Sequence, residues 1–168
     1  MDSEVGNKSL IGWFDRERIV KSKALLVGIY KGEKERHQAD EYLKELQLLV
    51  ETYGITSTEK IALSIRIFSA ATYISKGKIQ DLLNAIDKFQ VNLVIFDDEI
   101  SPAQQRNLEE ILRVPVIDRT EVILGVFGDR ARTKEARLQI ELAQIKYVSP
   151  RLKRMWTHLG QQTGGGGG

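Results

Sequence analysis

The sequence predicts an α/β fold: a four-stranded, mainly parallel sheet flanked by helices, followed by a long helical arm, a truncated helical hairpin. Three observations predict it. Apolar runs of strand length alternate with segments of helical period, the pattern of strands joined by crossover helices. The last quarter of the chain, from Ala131 on, is helical by pattern. There Leu138, Leu142, Ile145, Leu152, Trp156 and Leu159 fall on one seam at spacings of four and three, with Ser149 in the missing place. That seam then runs into Gly160 and Gly164–Gly168, and a glycine-rich turn is what ordinarily precedes a returning helix. No returning helix follows, so the expectation is the first arm of a hairpin. The competing expectation is a seam folded back on the N-terminal half, with the glycines as a frayed tail.

The elements follow in order. Residues 1–22 read as an N-terminal arm that lays Trp13 and Phe14 on the body. Residues 23–118 read as the α/β subdomain, 119–163 as a helical subdomain and 164–168 as a glycine tail. The run Lys23 to Tyr30 is continuously apolar after its first residue, which suits a strand buried on both faces. Lys31 to Gln38 is charged and reads as a loop. A helix is expected from about Asp40 as its cap, with Leu43, Leu46, Leu49 and Val50 inward and Gly54 ending it. Ile61 to Phe68 reads as the second strand, placed at an edge because Arg66 would not survive burial in a central strand. Ile79, Leu82, Leu83, Ile86 and Phe89 mark the next helix, and Val91 to Phe96 the third strand. Ser101-Pro102 opens a helix through Leu108, Ile111 and Leu112, with serine at the cap and proline in the first turn. Val114 to Ile117 reads as a short fourth strand, after which Asp118 or Thr120 caps a helix through Val122, Ile123, Val126 and Phe127. Crossovers of this length imply right-handed connections; the strand order itself is not legible in the sequence, and 2-1-3-4 is taken as the working arrangement.

Composition narrows the function classes. The chain has 168 residues, 42% hydrophobic and 29% charged, and no cysteine, which removes disulfides and thiolate metal sites. His37 and His158 are too far apart in sequence to suggest a metal pair. The polar start reads as no signal peptide, and no stretch approaches the length of a membrane span, so a cytoplasmic protein is expected. From Asp129 on, eight cations face three acids, a net +5 in a chain whose total is only +2. The positive charge is therefore gathered at one end.

Candidate chemistry is sparse. Asp97, Asp98 and Glu99 close the third strand, where α/β proteins place ligands, but no acids close the first strand to complete a Mg²⁺ site. They read as flanking the next helix cap. Ser75-Lys76-Gly77-Lys78 precedes a helix but lacks the GxxxxGK[ST] pattern of a phosphate loop, as does Gly164–Gly168. No catalytic, cofactor or metal residues are assigned. The basic arm suits RNA best: Arg151, Lys153 and Arg154 as phosphate clamps, with Trp156, His158 and Gln162 near the tip, where the two rings can stack on unpaired bases. A reading from another class is a small-ligand-binding or regulatory α/β domain, with its site near Lys31 and Asp97–Glu99, that homodimerises through the arm.

Several runs resemble the HflX family of ribosome-associated GTPases. They are Asp98 to Glu109, Val116 to Thr120, Arg130 to Ala136, Leu138 to Tyr147, Pro150-Arg151-Leu152 and Met155 to Leu159. Ala71-Thr72-Tyr73-Ile74 with Gly77-Lys78 is close to the family's ATYIGxGK-like segment, with Ser75 where glycine is usual. The resemblance covers most of residues 23–163. It implies an N-terminal α/β subdomain, a helical hairpin and then a GTPase domain that would carry GTP and Mg²⁺. It implies binding to the large ribosomal subunit and its rRNA, the hairpin tip reaching toward the peptidyl-transferase centre, and GTP-dependent splitting of stalled or heat-damaged ribosomes. The GTP-binding motifs and the family's GPGETQ-like second helix are not in this sequence. The expectation is an N-terminal half that is not itself an enzyme and whose partners are the ribosome and its own GTPase domain.

Overall fold

A computed structural model describes residues 21–151. Four parallel strands form one sheet in the order β2-β1-β3-β4, as expected. The strands are β1 (Lys23–Tyr30), β2 (Ser57–Ser64), β3 (Leu93–Phe96) and β4 (Val116–Asp118). The helices are α1 (Glu33–Tyr53), α2 (Lys76–Phe89), α3 (Pro102–Leu112), α4 (Arg119–Arg130) and α5 (Lys134–Val148), and a 3₁₀ turn over Ser149–Arg151 follows α5.

The continuous apolar run of β1 is explained by two cores. Side chains alternate across a strand, so Ala24 and Leu26 face one layer and Leu25 and Val27 the other. β3 divides in the same way, Leu93 and Ile95 against Val94 and Phe96. On one face Leu43, Leu46 and Val50 of α1 meet Val122 and Val126 of α4. On the other, Ile79 and Leu82 of α2 meet Leu108 and Leu112 of α3.

Four element boundaries differ from expectation, each for a physical reason. β4 runs over Val116–Asp118 rather than Val114–Ile117, because its pairing with β3 starts at Val94–Val116 and ends at Phe96–Asp118. α1 begins at Glu33, with Gly32 rather than Asp40 at its cap. Residues 33–38 are exposed throughout, so its first turns carry no apolar period. Acids suit that end electrostatically, and the Glu35 carboxylate accepts the Lys31 N–H at 2.9 Å. β2 runs over Ser57–Ser64 rather than Ile61–Phe68. Its register pairs Lys23 with Ser57 and Tyr30 with Ser64, so pairing stops where β1 stops, just after Ile65 N–H donates to Tyr30 O. Ile67 is consequently 80% exposed, and Arg66 lies beyond β2, which is nevertheless the edge strand that Arg66 predicts. β3 starts at Leu93 because Val91 N–H is used by the end of α2, donating to Ile86 O.

The helix signals at the other end hold. Ser101 forms a full capping box with Gln104, Pro102 sits in the first turn, and Asp118 accepts the Glu121 N–H at 3.1 Å. Gly54, at φ 120°, ends α1. Among the described residues, no helix is long and apolar enough to cross a membrane. The expected N-terminal arm, with Trp13 and Phe14, lies outside the described residues.

Candidate functional site

The arm begins at α5, whose cap is the Thr133 hydroxyl accepting the Ala136 N–H at 3.1 Å. Helical spacing sorts its side chains into an inward and an outward face. Inward, Gln144, Tyr147 and Val148 are buried against the body. Gln144 donates to Leu124 O across the joint with α4, where Gly128 lets the two helices approach. Outward, Leu138, Leu142 and Ile145 are 56%, 53% and 49% exposed. These are the expected seam residues, and the described part of the chain leaves them uncovered. Arg130, Arg132, Lys134, Arg137 and Lys146 are exposed around them.

Arg151 departs from the role read for it in the sequence. It is 6% exposed and points into the body rather than toward solvent. Its Nε donates to Gln105 Oε1 at 2.9 Å, Nη1 to Tyr147 O at 2.9 Å and Nη2 to Ile100 O at 2.7 Å. The guanidinium also lies 3.8 Å from the Tyr147 ring centre. A cation with its fork committed to internal acceptors is not a phosphate clamp. Arg151 closes the 3₁₀ turn over Ser149–Arg151 that follows α5. The other predicted contacts (Lys153, Arg154, Trp156, His158 and Gln162) lie outside the described residues, as do Leu152, Trp156 and Leu159 of the seam.

Around Arg151 the fold assembles a buried polar hub that sequence reasoning missed. Asp118, at the end of β4, accepts from Ile100 N–H at 3.0 Å, Glu121 N–H at 3.1 Å and Tyr147 O–H at 3.1 Å. Gln105 links the hub to β4 by donating to Val116 O. Glu121 is fully buried, and neither of its carboxyl oxygens has a hydrogen-bond partner. Burial first, and the neighbouring Asp118 second, push the Glu121 carboxyl well above its usual range, against the opposing pull of Arg151. Burial also raises Asp118, against its three hydrogen bonds and Arg151, and raises the Tyr147 hydroxyl. The only sequence signal for the hub was Asp118 as a helix cap. Nothing local marks Gln105, Glu121 or Tyr147, because their partners are distant in the chain. An open cleft of about 810 Å³ borders the hub, with Ser101, Gln104, Thr120, Leu124 and Lys146 on its walls.

The strand ends hold a second polar group. Asp97 lies 3.0 Å from Arg119 Nε, and its carboxyl is pushed up to about 6, chiefly by burial. Tyr73, at φ 69°, donates its hydroxyl to Asp98. Lys31 Nζ stands 4.6 Å over the Phe68 ring. Asp97 and Asp98 are thus engaged with neighbours. Among the described residues, no group of three or more His, Asp or Glu side chains is placed to hold a metal ion.

Comparison with known proteins adds to this geometry. Residues 40–128 match the family model described as GTP-binding GTPase N-terminal, and residues 130–168 match the GTP-binding GTPase middle region. The chain is 43% identical over 147 residues to GTPase HflX of Chlamydia pneumoniae, covering 87% of this chain and 31% of that protein. With GTPase HflX of Escherichia coli (strain K12) it shares 39% identity over 143 residues, covering 85% and 33%. It is also similar in fold to a crystal structure of an SsGBP and GDP complex, at a TM-score of 0.53 and 22% identity, covering 79% of this chain and 37% of that one. The chain spans about a third of the length of these curated relatives.

Proposed function

The chain belongs to the HflX family of GTP-binding proteins, as the N-terminal region of such a GTPase, and from that premise we propose that it is the ribosome-engaging part of one. In this reading the basic arm contacts rRNA of the large subunit, and the protein acts in the cytoplasm on stalled or heat-damaged ribosomes, which the whole GTPase splits. GTP and Mg²⁺ belong to the GTPase domain of the full-length protein, which is also a partner of this region. The chain by itself catalyses no hydrolysis.

The observation that carries the reading is the outer surface of α5. A helix that presents five exposed cations on and just before it, on a chain of net charge +2, is an electrostatic footprint for a polyanion. Lys153, Arg154, Trp156, His158 and Gln162 continue that charge and add rings for base stacking. With Arg151 committed internally, Lys153 and Arg154 are the phosphate contacts we assign, with Trp156, His158 and Gln162 beside them.

Co-sedimentation with purified large ribosomal subunits at low and moderate salt tests this. Binding should fall as salt rises, and Lys153→Ala with Arg154→Ala should weaken it and reduce the salt slope by about 1 per cation. Binding by the double variant equal to the unmodified chain would sink the assignment. The exposed Leu138, Leu142 and Ile145 favour one other reading, a homodimer formed through α5 by a ligand-binding or regulatory α/β domain. Sedimentation equilibrium distinguishes the two: a concentration-dependent dimer that Leu142→Glu abolishes, with no ribosome binding, would replace the ribosome reading.

A further inference from the structure

We propose that the buried hub beneath α5 is a proton-coupled latch for the arm, in which Arg151 clamps the end of α5 to the body and Glu121 allows the clamp to close only in its neutral form.

The clamp is explicit in the hydrogen bonds. Arg151 ties together Tyr147 on α5, Ile100 in the segment before α3, and Gln105 on α3. Gln105 reaches on to Val116 of β4, and Asp118 gathers Ile100, Glu121 and Tyr147. The end of α5 is therefore held from β4, from α3 and from the segment between β3 and α3 at once. Apolar packing at this joint is slight by comparison: Tyr147 and Val148 are buried, with Leu124 against them. What holds the arm in place is chiefly polar, and polar contacts depend on charge state in a way that apolar ones do not.

Glu121 supplies that dependence. Its carboxyl is closed off from water, and both oxygens lack a donor. A bare carboxylate is among the costliest groups to bury, so the closed joint requires the acid form. The ionisable groups facing Glu121 are Asp118 at the end of β4, Tyr147 on α5 and Arg151 in the turn beyond it. Asp118 opposes a second negative charge, and Arg151 alone favours one. If the arm lifts, Tyr147 and Arg151 leave with it, water reaches Glu121, and the carboxyl titrates near its ordinary 4.5. The closed arm thus holds a proton that the open arm releases. The preference for the closed state is complete below that ordinary value. It declines as pH rises toward the higher value of the closed state, by at most about tenfold per pH unit for one proton.

The inference does not rest on the ribosome reading. The chain has no cysteine, so Asp87→Cys on α2 with Gln139→Cys on α5 introduces a unique pair for spin labels. Distances measured by pulsed electron resonance at pH 5.5, 7 and 8.5 should show one narrow population at low pH and a second that grows at least about threefold as pH rises. With Glu121→Gln the narrow population should persist at every pH, and with Arg151→Met the second should dominate at every pH while the circular dichroism of the body is unchanged. A distribution that does not respond to pH, or a Glu121→Gln variant that responds as the parent does, would overturn the latch. Native-state amide exchange of α5 in the unmodified chain gives a second readout that needs no variant to fold. Protection of Gln144 to Val148, corrected for intrinsic rates, should fall as pH rises, and constant protection would overturn the proposal.

Discussion

Asp97 sits at the end of β3 with its carboxyl 3.0 Å from Arg119 Nε, and two opposed effects act on it. Burial favours the neutral acid and Arg119 favours the anion. Burial prevails and lifts the group to about 6. Because the folded value exceeds the ordinary 3.8, Asp97 contributes most to stability below about that pH, and the contribution is lost as pH rises through about 6. Carboxyl NMR should find the midpoint near 6, and Arg119→Met should move it higher. A midpoint near 4 would show that the ion pair outweighs burial. Arg151 illustrates the same competition with the opposite outcome for function. Its charge and its place in a basic run pointed to solvent and RNA, but three internal acceptors and an aromatic ring hold it inside. Local sequence has no means of showing that, since Gln105 and Ile100 are 46 and 51 residues away.

At the scale of elements, what was legible depended on whether an element faces the core. The start of α3 is legible because serine, proline and glutamine write it locally, and the capping box forms as the pattern implies. The sequence understates α1 because its first turns face water. It places β2 too late because the strand's register is set by β1, not by its own apolar pattern. Helix packing adds a constraint with no local signature. α4 crosses α1 at Gly125, where an added Cβ would stand 2.2 Å from the Tyr53 ring. Gly125→Ala should therefore destabilise the fold by about 1–3 kcal/mol, despite the better helix propensity of alanine. Urea denaturation checks this. An unchanged or higher midpoint would mean that Tyr53 moves aside without strain.

Across the molecule, stability and charge are unevenly distributed. The sheet is covered on both faces, whereas α5 buries only Gln144, Tyr147 and Val148 and leaves its seam outside. Opening free energies follow buried contacts. Amide exchange should thus be fastest in the first turns of α5 with full hydrogen bonding, near Arg137 to Glu141, and slowest in β1. Comparable protection in the two would mean that the exposed seam is covered in solution, as a dimer would cover it. The same asymmetry bears on the proposed function: a firm α/β body carries a thinly anchored helix whose exposed cations, with Arg130 and Arg132 before it, are what the proposal sets against rRNA.

The alternation of apolar runs and helical periods, with the Ser101-Pro102 signal, was sufficient by itself to specify an α/β fold, a mainly parallel sheet, the cap at Ser101 and the apolar seam that begins on α5. Each of these follows from residues close in sequence, or from the limited ways in which strands and crossover helices pack. Only the tertiary structure decided the strand order, that Asp118 rather than Thr120 caps α4, that Leu138, Leu142 and Ile145 stay uncovered among the described residues, where β2 starts, that Arg151 points inward, and that Glu121, Asp118, Tyr147 and Gln105 share one dry site. Those outcomes depend on which distant groups burial brings together, and on whether a charge finds its partners in water or in the protein.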